Sequence, residues 1–245
     1  MLDLIGTISL TALAVVLVAM LVPDSGKHGP GRTRIAVGLS AWFMLAASLG
    51  LAGAFASPAL PVGVAVGIAV LAPVIALAGI VARTQAHGIP LPTLVAVHIG
   101  RILGAVFLVL YSVGRLPYTF AHSAGWGDAA TGVLAIPVVW AIRHRVAGWR
   151  WFTAAWNVLG LADLLAAVTL GVGSAPGSPV RFLYEAPGSG AIVTFPWVLV
   201  PAFFVPLYML THVAVFAHLA APARTSERGS SPAIGPISPA ARASR

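Results

Sequence analysis

The chain of 245 residues is 59% hydrophobic and only 8% charged, and its mean hydropathy is +0.96. Soluble domains carry charge on roughly a quarter of their residues, so this composition excludes an ordinary soluble protein and indicates a chain mostly buried in lipid. The absence of cysteine excludes disulfides, thiolate metal sites and a cysteine nucleophile.

Seven apolar segments are long enough to cross a bilayer, which requires about 20 helical residues. The sequence therefore predicts an all-α, polytopic transmembrane bundle of about seven spans in residues 1–218. A Ser/Pro/Ala/Arg-rich tail at 219–245 is expected to be disordered. The first segment has no basic leader and carries Asp3, which favours a true span over a signal peptide. The segments are 4–22, 35–57, 61–82, 93–113, 127–142, 151–171 and 194–217.

The basic residues are distributed unequally between the two sides that these spans define. Because Lys and Arg accumulate in cytoplasmic loops, the asymmetry predicts an outer N-terminus and a cytoplasmic C-terminus. The net charge of +8 is then a topology signal and a contact with anionic lipids of the cytoplasmic face, and no nucleic-acid module is evident. The cytoplasmic set is Lys27, Arg32, Arg34, Arg83, Arg143, Arg145, Arg150, Arg224, Arg228, Arg242 and Arg245, against Arg115 and Arg181 outside.

Polar residues occur at a similar depth in three of the predicted spans. Two residues three or four apart share a helix face, so the polar groups of the fourth span lie on one face, and so do Tyr208 and His212 of the last span. Ionisable residues inside a membrane are functional candidates by default, and Asp163 is too short to reach the interface from mid-span. The alternative is a structural role, in hydrogen bonds between helices. The residues are His98 and Arg101 in the fourth span, Asn157 and Asp163 in the sixth, and Tyr208, Thr211 and His212 in the last.

Arg101 and Asp163 are expected to form an ion pair. Counted from the inner boundary, their heights differ by ~6 Å at ~1.5 Å per residue, a gap that an arginine side chain can bridge. Alternatively, Arg101 extends to the inner headgroups, because it lies only about two turns inside its span.

A second polar group is predicted at the outer face, in the stretch GWGD at 125–128. Asp128 would cap the start of the fifth span and favour its dipole, and Arg115 would pair with Asp128. Trp126 and Trp197 are placed at the outer interface, where amphipathic rings prefer to lie. The Gly/Pro/Ser-rich loop that follows the sixth span is long for a connection and is expected to cover an outer cavity.

Small residues and prolines mark possible packing faces and bends in the spans. Gly63 and Gly67 form a GxxxG motif in the third span, which is typical of closely packed membrane helices. Pro201 and Pro206 both lie in the last span, and each removes a backbone donor. This pair favours a distorted helix near a cavity or hinge.

The polar stretches also carry a resemblance. HIGR at 98–101, GWGD at 125–128, WNVLGLAD at 156–163 and the proline-rich last span ending at His212 resemble a broad family of uncharacterised bacterial proteins. The resemblance covers roughly the second half of the chain. It implies a multi-pass protein of the bacterial inner membrane and implies no known activity.

Several functions remain open from the sequence. A polar cavity formed by His98, Arg101, Asp163 and His212 would bind or transport a small solute, a proton or a lipid group. A purely structural cluster, in a protein that acts through a partner, is the main alternative.

Two cofactor-dependent alternatives are weaker. A b-type haem protein would use His98 and His212 as axial ligands, with Arg101 on a propionate. A metal-dependent hydrolase similar to ceramidases is disfavoured, because His212 and His218 are six apart and point to different faces. We therefore predict no catalytic residue and no metal ligand, and the sequence does not favour an enzyme.

Overall fold

The computed structural model describes residues 1–22, 30–56, 61–84 and 88–221. Within these ranges the chain is helical and contains no strand. Seven helices are long and apolar enough to cross a membrane, which confirms the predicted all-α bundle and indicates a multi-pass membrane protein. They are α1 (Leu2–Leu21), α2 (Pro30–Leu51), α3 (Val62–Thr84), α4 (Leu91–Ser112), α5 (Tyr118–Arg143), α6 (Trp149–Ser174) and α7 (Val200–Ala220).

Helix α7 is the centre of the bundle. It packs against α3, α4 and α6, and most of its side chains are buried. Its first turn, Val200–Phe204, is π-helical and contains Pro201, in agreement with the predicted distortion of this span. A π-helical turn widens the helix locally and often occurs at functional positions. Helix α2, by contrast, lies at the periphery and leaves most of its surface exposed.

Helix α4 changes its winding in the middle. Two α-helical ends, Leu91–Ala96 and Val106–Ser112, flank a 3-10 stretch at Val97–Ala105. Side chains three residues apart are eclipsed in a 3-10 helix, so His98, Arg101 and Gly104 form one row. This row faces α5, with which α4 makes one of the most extensive helix contacts of the fold.

Helix α5 begins at Tyr118, nine residues before the predicted start of the fifth span. Proline suits a helix start because its fixed φ fits the entry and its missing N–H would be unpaired there, and Pro117 immediately precedes this helix. Asp128 therefore lies inside α5 and cannot cap it, so the predicted cap is wrong. The length of 26 residues makes α5 one of the two longest helices described.

The segment between α6 and α7 packs back onto the end of α6. The Ser189 hydroxyl donates to the Gly171 carbonyl at 2.6 Å, and the Phe182 N–H donates to the Gly173 carbonyl at 3.0 Å. Trp197, just before the start of α7, is fully buried within the protein. The predicted tail begins inside α7, which continues to Ala220, and its residues from 222 onward lie outside the described part of the chain.

Candidate functional site

The polar residues predicted to meet at membrane depth do meet in the structure. His98 and Arg101 of α4, Asn157 and Asp163 of α6, and Tyr208, Thr211 and His212 of α7 form one connected cluster. The row on α4 places Arg101 against α5 and α6, while α7 closes the cluster from the bundle centre. Asp128 of α5, predicted at the outer face, also belongs to this cluster.

Arg101 is the centre of this cluster. Its side chain is 0% exposed, and all three of its nitrogen atoms have partners. Nε donates to Asp128 Oδ1 at 2.7 Å, and Nη2 donates to Asp163 Oδ2. Nη1 donates to the Gly160 carbonyl at 3.0 Å and approaches His212 Nε2 at 3.4 Å. The predicted pair with Asp163 is confirmed, and the alternative that Arg101 extends to the headgroups is wrong.

Glycines allow the helices to approach closely around Arg101. A methyl group on Gly104 would overlap Asp128, and one on Gly127 would overlap Asp163. A methyl group on Gly160 would lie 2.8 Å from the His212 ring. Each glycine therefore leaves the space in which a polar side chain of a neighbouring helix lies. A methyl group on Gly67 of the predicted GxxxG motif would meet nothing within 4 Å, so this glycine does not make the expected close contact. The packing of Gly63, the other glycine of the motif, lies outside what the structure describes.

The hydrogen bonds fix the tautomer of His212. Arginine can only donate, so His212 Nε2 accepts from Arg101 and the ring proton resides on Nδ1. Nδ1 then donates to Asn157 Oδ1 at 2.7 Å, and Asn157 Nδ2 donates to the His212 carbonyl at 3.1 Å. This reciprocal pair orients the imidazole, and a second ring proton would break the contact with Arg101.

His98 lies against His212 with ring centroids 4.2 Å apart. The Thr211 hydroxyl donates to the Tyr208 carbonyl at 2.9 Å, so its oxygen accepts from His98 Nε2 at 3.0 Å. His98 Nδ1 and the Tyr208 hydroxyl are buried and have no hydrogen-bond partner among the described residues. The cluster thus contains one imidazole nitrogen and one hydroxyl group that make no hydrogen bond among the described residues.

The two histidines do not fit a haem. Two axial imidazoles must each point a nitrogen at an iron atom from opposite sides of a planar macrocycle. Here the rings contact each other at 4.2 Å, and His212 uses both nitrogens within the cluster. Among the described residues, no three His, Asp or Glu side chains are grouped so that they could hold a metal ion.

The residues predicted at the outer face are separated in the structure. Arg115 forms an ion pair with Asp3 at 2.5 Å, and the Trp197 indole donates to the same carboxylate at 2.7 Å. The predicted pair of Arg115 with Asp128 is therefore wrong. Trp126 lies within α5 with 63% of its surface exposed on the outside of the bundle.

A groove opens between α5 and α6 on the outside of the bundle. Its volume is about 640 Å³, and its walls are mainly apolar. Trp140 and Phe152 lie towards the end where α5 leads into α6, and Asp163 and Gly127 lie at the other end. The side chain of Asp163 is 16% exposed, so one carboxyl group of the cluster is accessible from this groove.

Asp128 and the glycines are the site residues that the sequence analysis misplaced or missed. The clue to Asp128 is Pro117, which marks the true start of α5 and makes Asp128 the eleventh of the 26 residues of a membrane-length helix. The clue to the glycines is that Gly100 and Gly104 form a second GxxxG motif around Arg101 itself.

Comparisons with known proteins give one match. A protein-family model described as a domain of unknown function, DUF8737, matches residues 57–220, which contain α3 to α7 and the whole Arg101 cluster. No curated protein and no solved structure is significantly similar to the chain.

Proposed function

The chain belongs to the DUF8737 family, and we propose that it is a multi-pass protein of the bacterial inner membrane whose Arg101 cluster binds and exchanges a proton. The excess of basic residues on one side and the resemblance to bacterial membrane proteins support the location. One observation carries the activity: a single buried guanidinium lies between two carboxyl groups, those of Asp128 and Asp163.

The charges of the triad formed by Arg101, Asp128 and Asp163 do not balance if both carboxyl groups are ionised. One positive and two negative charges leave a net charge of −1, and an uncompensated charge at membrane depth costs several kcal/mol, roughly 2.5–3.5 on insertion scales. A proton on one carboxyl group removes this excess while the other keeps its ion pair with Arg101. His212 does not supply the missing positive charge, because its Nε2 accepts from Arg101. A protonated His98 would bury a second N–H, at Nδ1, that has no acceptor among the described residues.

Asp163 is the carboxyl group that exchanges the proton in this proposal. Its Oδ2 accepts from Arg101, while Oδ1 lies over Gly127 and the residue lines the α5–α6 groove. The Asp128 side chain is exposed to a similar extent, 14%, but it lines a small cavity of about 30 Å³ and not the groove. The charged and titratable groups around Asp163 are Arg101 and His98 of α4, Asp128 of α5, and Tyr208 and His212 of α7.

A cluster that only fixes the helices together is the competing interpretation. It is favoured by the saturation of Arg101, whose partners lie on α5, α6 and α7. The two interpretations differ in one measurable property. A structural cluster keeps a constant protonation state across the physiological pH range, whereas a proton-exchanging cluster gains and loses a proton within it.

Infrared difference spectroscopy during pH steps tests the proposal on the full-length protein in nanodiscs. We expect a carbonyl band of a protonated carboxyl group that titrates reversibly, and Asp163→Asn should remove it. Asp3→Asn is the matched control, because Asp3 also pairs with an arginine but lies outside the cluster. A spectrum without a titrating carboxyl band, or a band lost equally in Asp3→Asn, would reject proton exchange at Asp163.

A further inference from the structure

The α5–α6 groove has the dimensions and walls of a site for an elongated apolar molecule. From Phe152 to Asp163 it follows α6 for eleven residues, or about 16 Å at 1.5 Å per residue. Its volume of about 640 Å³ lies within the usual range of ligand pockets, roughly 300–1,000 Å³. Leu134, Pro137 and Leu159 contribute apolar walls. The groove opens on the outside of the bundle, so a ligand can enter it from the bilayer.

One charged side chain interrupts these apolar walls. Asp163 lies at the deep end, and no other Asp, Glu, Lys, Arg or His residue of the described chain lines the groove. Its Oδ2 is bonded to Arg101, and Asp163 can accept a further hydrogen bond through Oδ1. An apolar groove with a single carboxyl group at its end selects a ligand that has an apolar chain and a hydrogen-bond donor. A positively charged donor is favoured over a neutral one.

The charge of the cluster specifies the sign and number of charges on the ligand. The triad of Arg101, Asp128 and Asp163 lacks one positive charge. A monocation balances it, whereas an anion would add to the excess and a dication would exceed it. A neutral alcohol could donate a hydrogen bond but would leave the charge unbalanced.

We infer that the groove binds a lipophilic monoamine, whose ammonium group contacts Asp163 while its apolar chain lies between α5 and α6. The inference rests on the proposed function, because the amine takes the place of the exchanged proton. It goes further in naming a ligand class and an entry route. Binding and protonation of Asp163 are then mutually exclusive, so each bound amine displaces one proton.

Tryptophan fluorescence reports binding directly, because Trp140 and Trp156 line the groove. The probe is a long-chain alkylamine brominated on its chain, added to the full-length protein in nanodiscs whose lipid, phosphatidylcholine, has no primary amine. We expect saturable quenching with the amine. The brominated alcohol and carboxylic acid of the same chain length should give only the linear quenching of partition into the bilayer.

Three variants locate the site. Asp163→Asn should weaken amine binding by at least about tenfold, the loss expected for one charge-assisted hydrogen bond. Ala130→Phe fills the groove from α5 without replacing a polar residue, and it should abolish saturable quenching even if Asp163→Asn does not fold. Ala162→Phe is the matched control, because Ala162 is exposed on α6 outside the groove and its change should leave binding unaltered.

The outcomes separate this inference from the proposed function. Linear quenching by the amine in the wild type, or equal saturable quenching in Ala130→Phe, overturns the monoamine site, and a titrating carboxyl band would still support proton exchange. If the wild type shows saturable quenching that Asp163→Asn abolishes, but no titrating carboxyl band, the amine site is supported and proton exchange at Asp163 is rejected. Equal saturation by the alcohol shows that charge does not select the ligand and also overturns the inference.

Discussion

Arg101 connects more elements of the bundle than a single ion pair would. Its nitrogens contact α5 through Asp128, α6 through Asp163 and the Gly160 carbonyl, and α7 through His212. Two carboxyl partners give the guanidinium some redundancy, because loss of either one leaves the other in place. Loss of both leaves a fully buried charge without a counterion, which is the costly case.

This redundancy predicts a non-additive response to substitution. Asp128→Asn and Asp163→Asn should each destabilise the protein only moderately, whereas the double variant should lose about 3–5 kcal/mol because Arg101 is then unpaired. Adding Arg101→Leu to the double variant should restore much of that loss. The free energy of unfolding of each detergent-purified variant, compared with that of the wild type, measures these losses. Additive losses without rescue would mean that Arg101 is not the shared partner of the two carboxyl groups.

The glycines beside the cluster give a second prediction at the scale of single residues. Gly127→Ala should lower stability by about 1–3 kcal/mol, the usual cost of overpacking, because its methyl group overlaps Asp163. Gly67→Ala is the matched control in α3, where the added methyl group meets open space. Melting temperatures in the same detergent compare the two. Equal shifts would show that close approach at Gly127 is not required.

Helix α5 shows how an element depends on a distant residue. Its first turn has free N–H groups, as every helix start does, and Glu185 of the α6–α7 loop accepts from the Thr119 N–H at 2.9 Å and from the Thr119 hydroxyl. A carboxylate at a helix N-terminus also opposes the positive end of the dipole. The loop is thereby fastened to the start of the helix that carries Asp128.

The Glu185 contact predicts a pH dependence of stability. The hydrogen bonds from Thr119 hold the pKa of Glu185 below its ordinary value of 4.5. A lowered pKa in the folded state stabilises the protein at pH values above the ordinary pKa, and this contribution disappears as the pH falls through the folded-state value. Glu185→Gln should therefore lower the melting temperature at neutral pH, and its difference from the wild type should vanish in acid.

A double-mutant cycle with Thr119→Val checks the assignment of this effect. Thr119→Val removes the hydroxyl donor, so it should reduce the cost of Glu185→Gln and the amplitude of its pH dependence. A pH-independent difference between Glu185→Gln and the wild type would contradict the proposed role of the carboxylate at the start of α5.

For the whole molecule, if all seven helices cross the membrane, the start of α1 and the end of α7 lie on opposite sides. The distribution of basic residues predicts a cytoplasmic C-terminus. A reporter fused after residue 225 should therefore read cytoplasmic, and one inserted near Ser178 should read periplasmic. Activity of both reporters on the same side would mean that one of the seven helices does not cross.

The number of spans, the helical class and most members of the polar cluster could be predicted from the amino-acid sequence. Burial of about 20 apolar residues in lipid is a local property of each segment, so it can be read without knowing the neighbours. The rarity of ionisable groups at membrane depth made His98, Arg101, Asp163 and His212 stand out for the same reason. Their shared depth followed from the alternating direction of successive spans.

The tertiary structure alone decided which side chains are partners. Asp128 pairs with Arg101 because α5 begins at Tyr118 and carries Asp128 into the bundle. Asp3 pairs with Arg115 because the first helix packs beside the end of the fourth. The 3-10 winding of α4 aligned His98, Arg101 and Gly104, and glycines on three helices set the distances. Pairing depends on helix starts, winding and interhelical approach, and these are properties of packed neighbours that hydropathy does not encode.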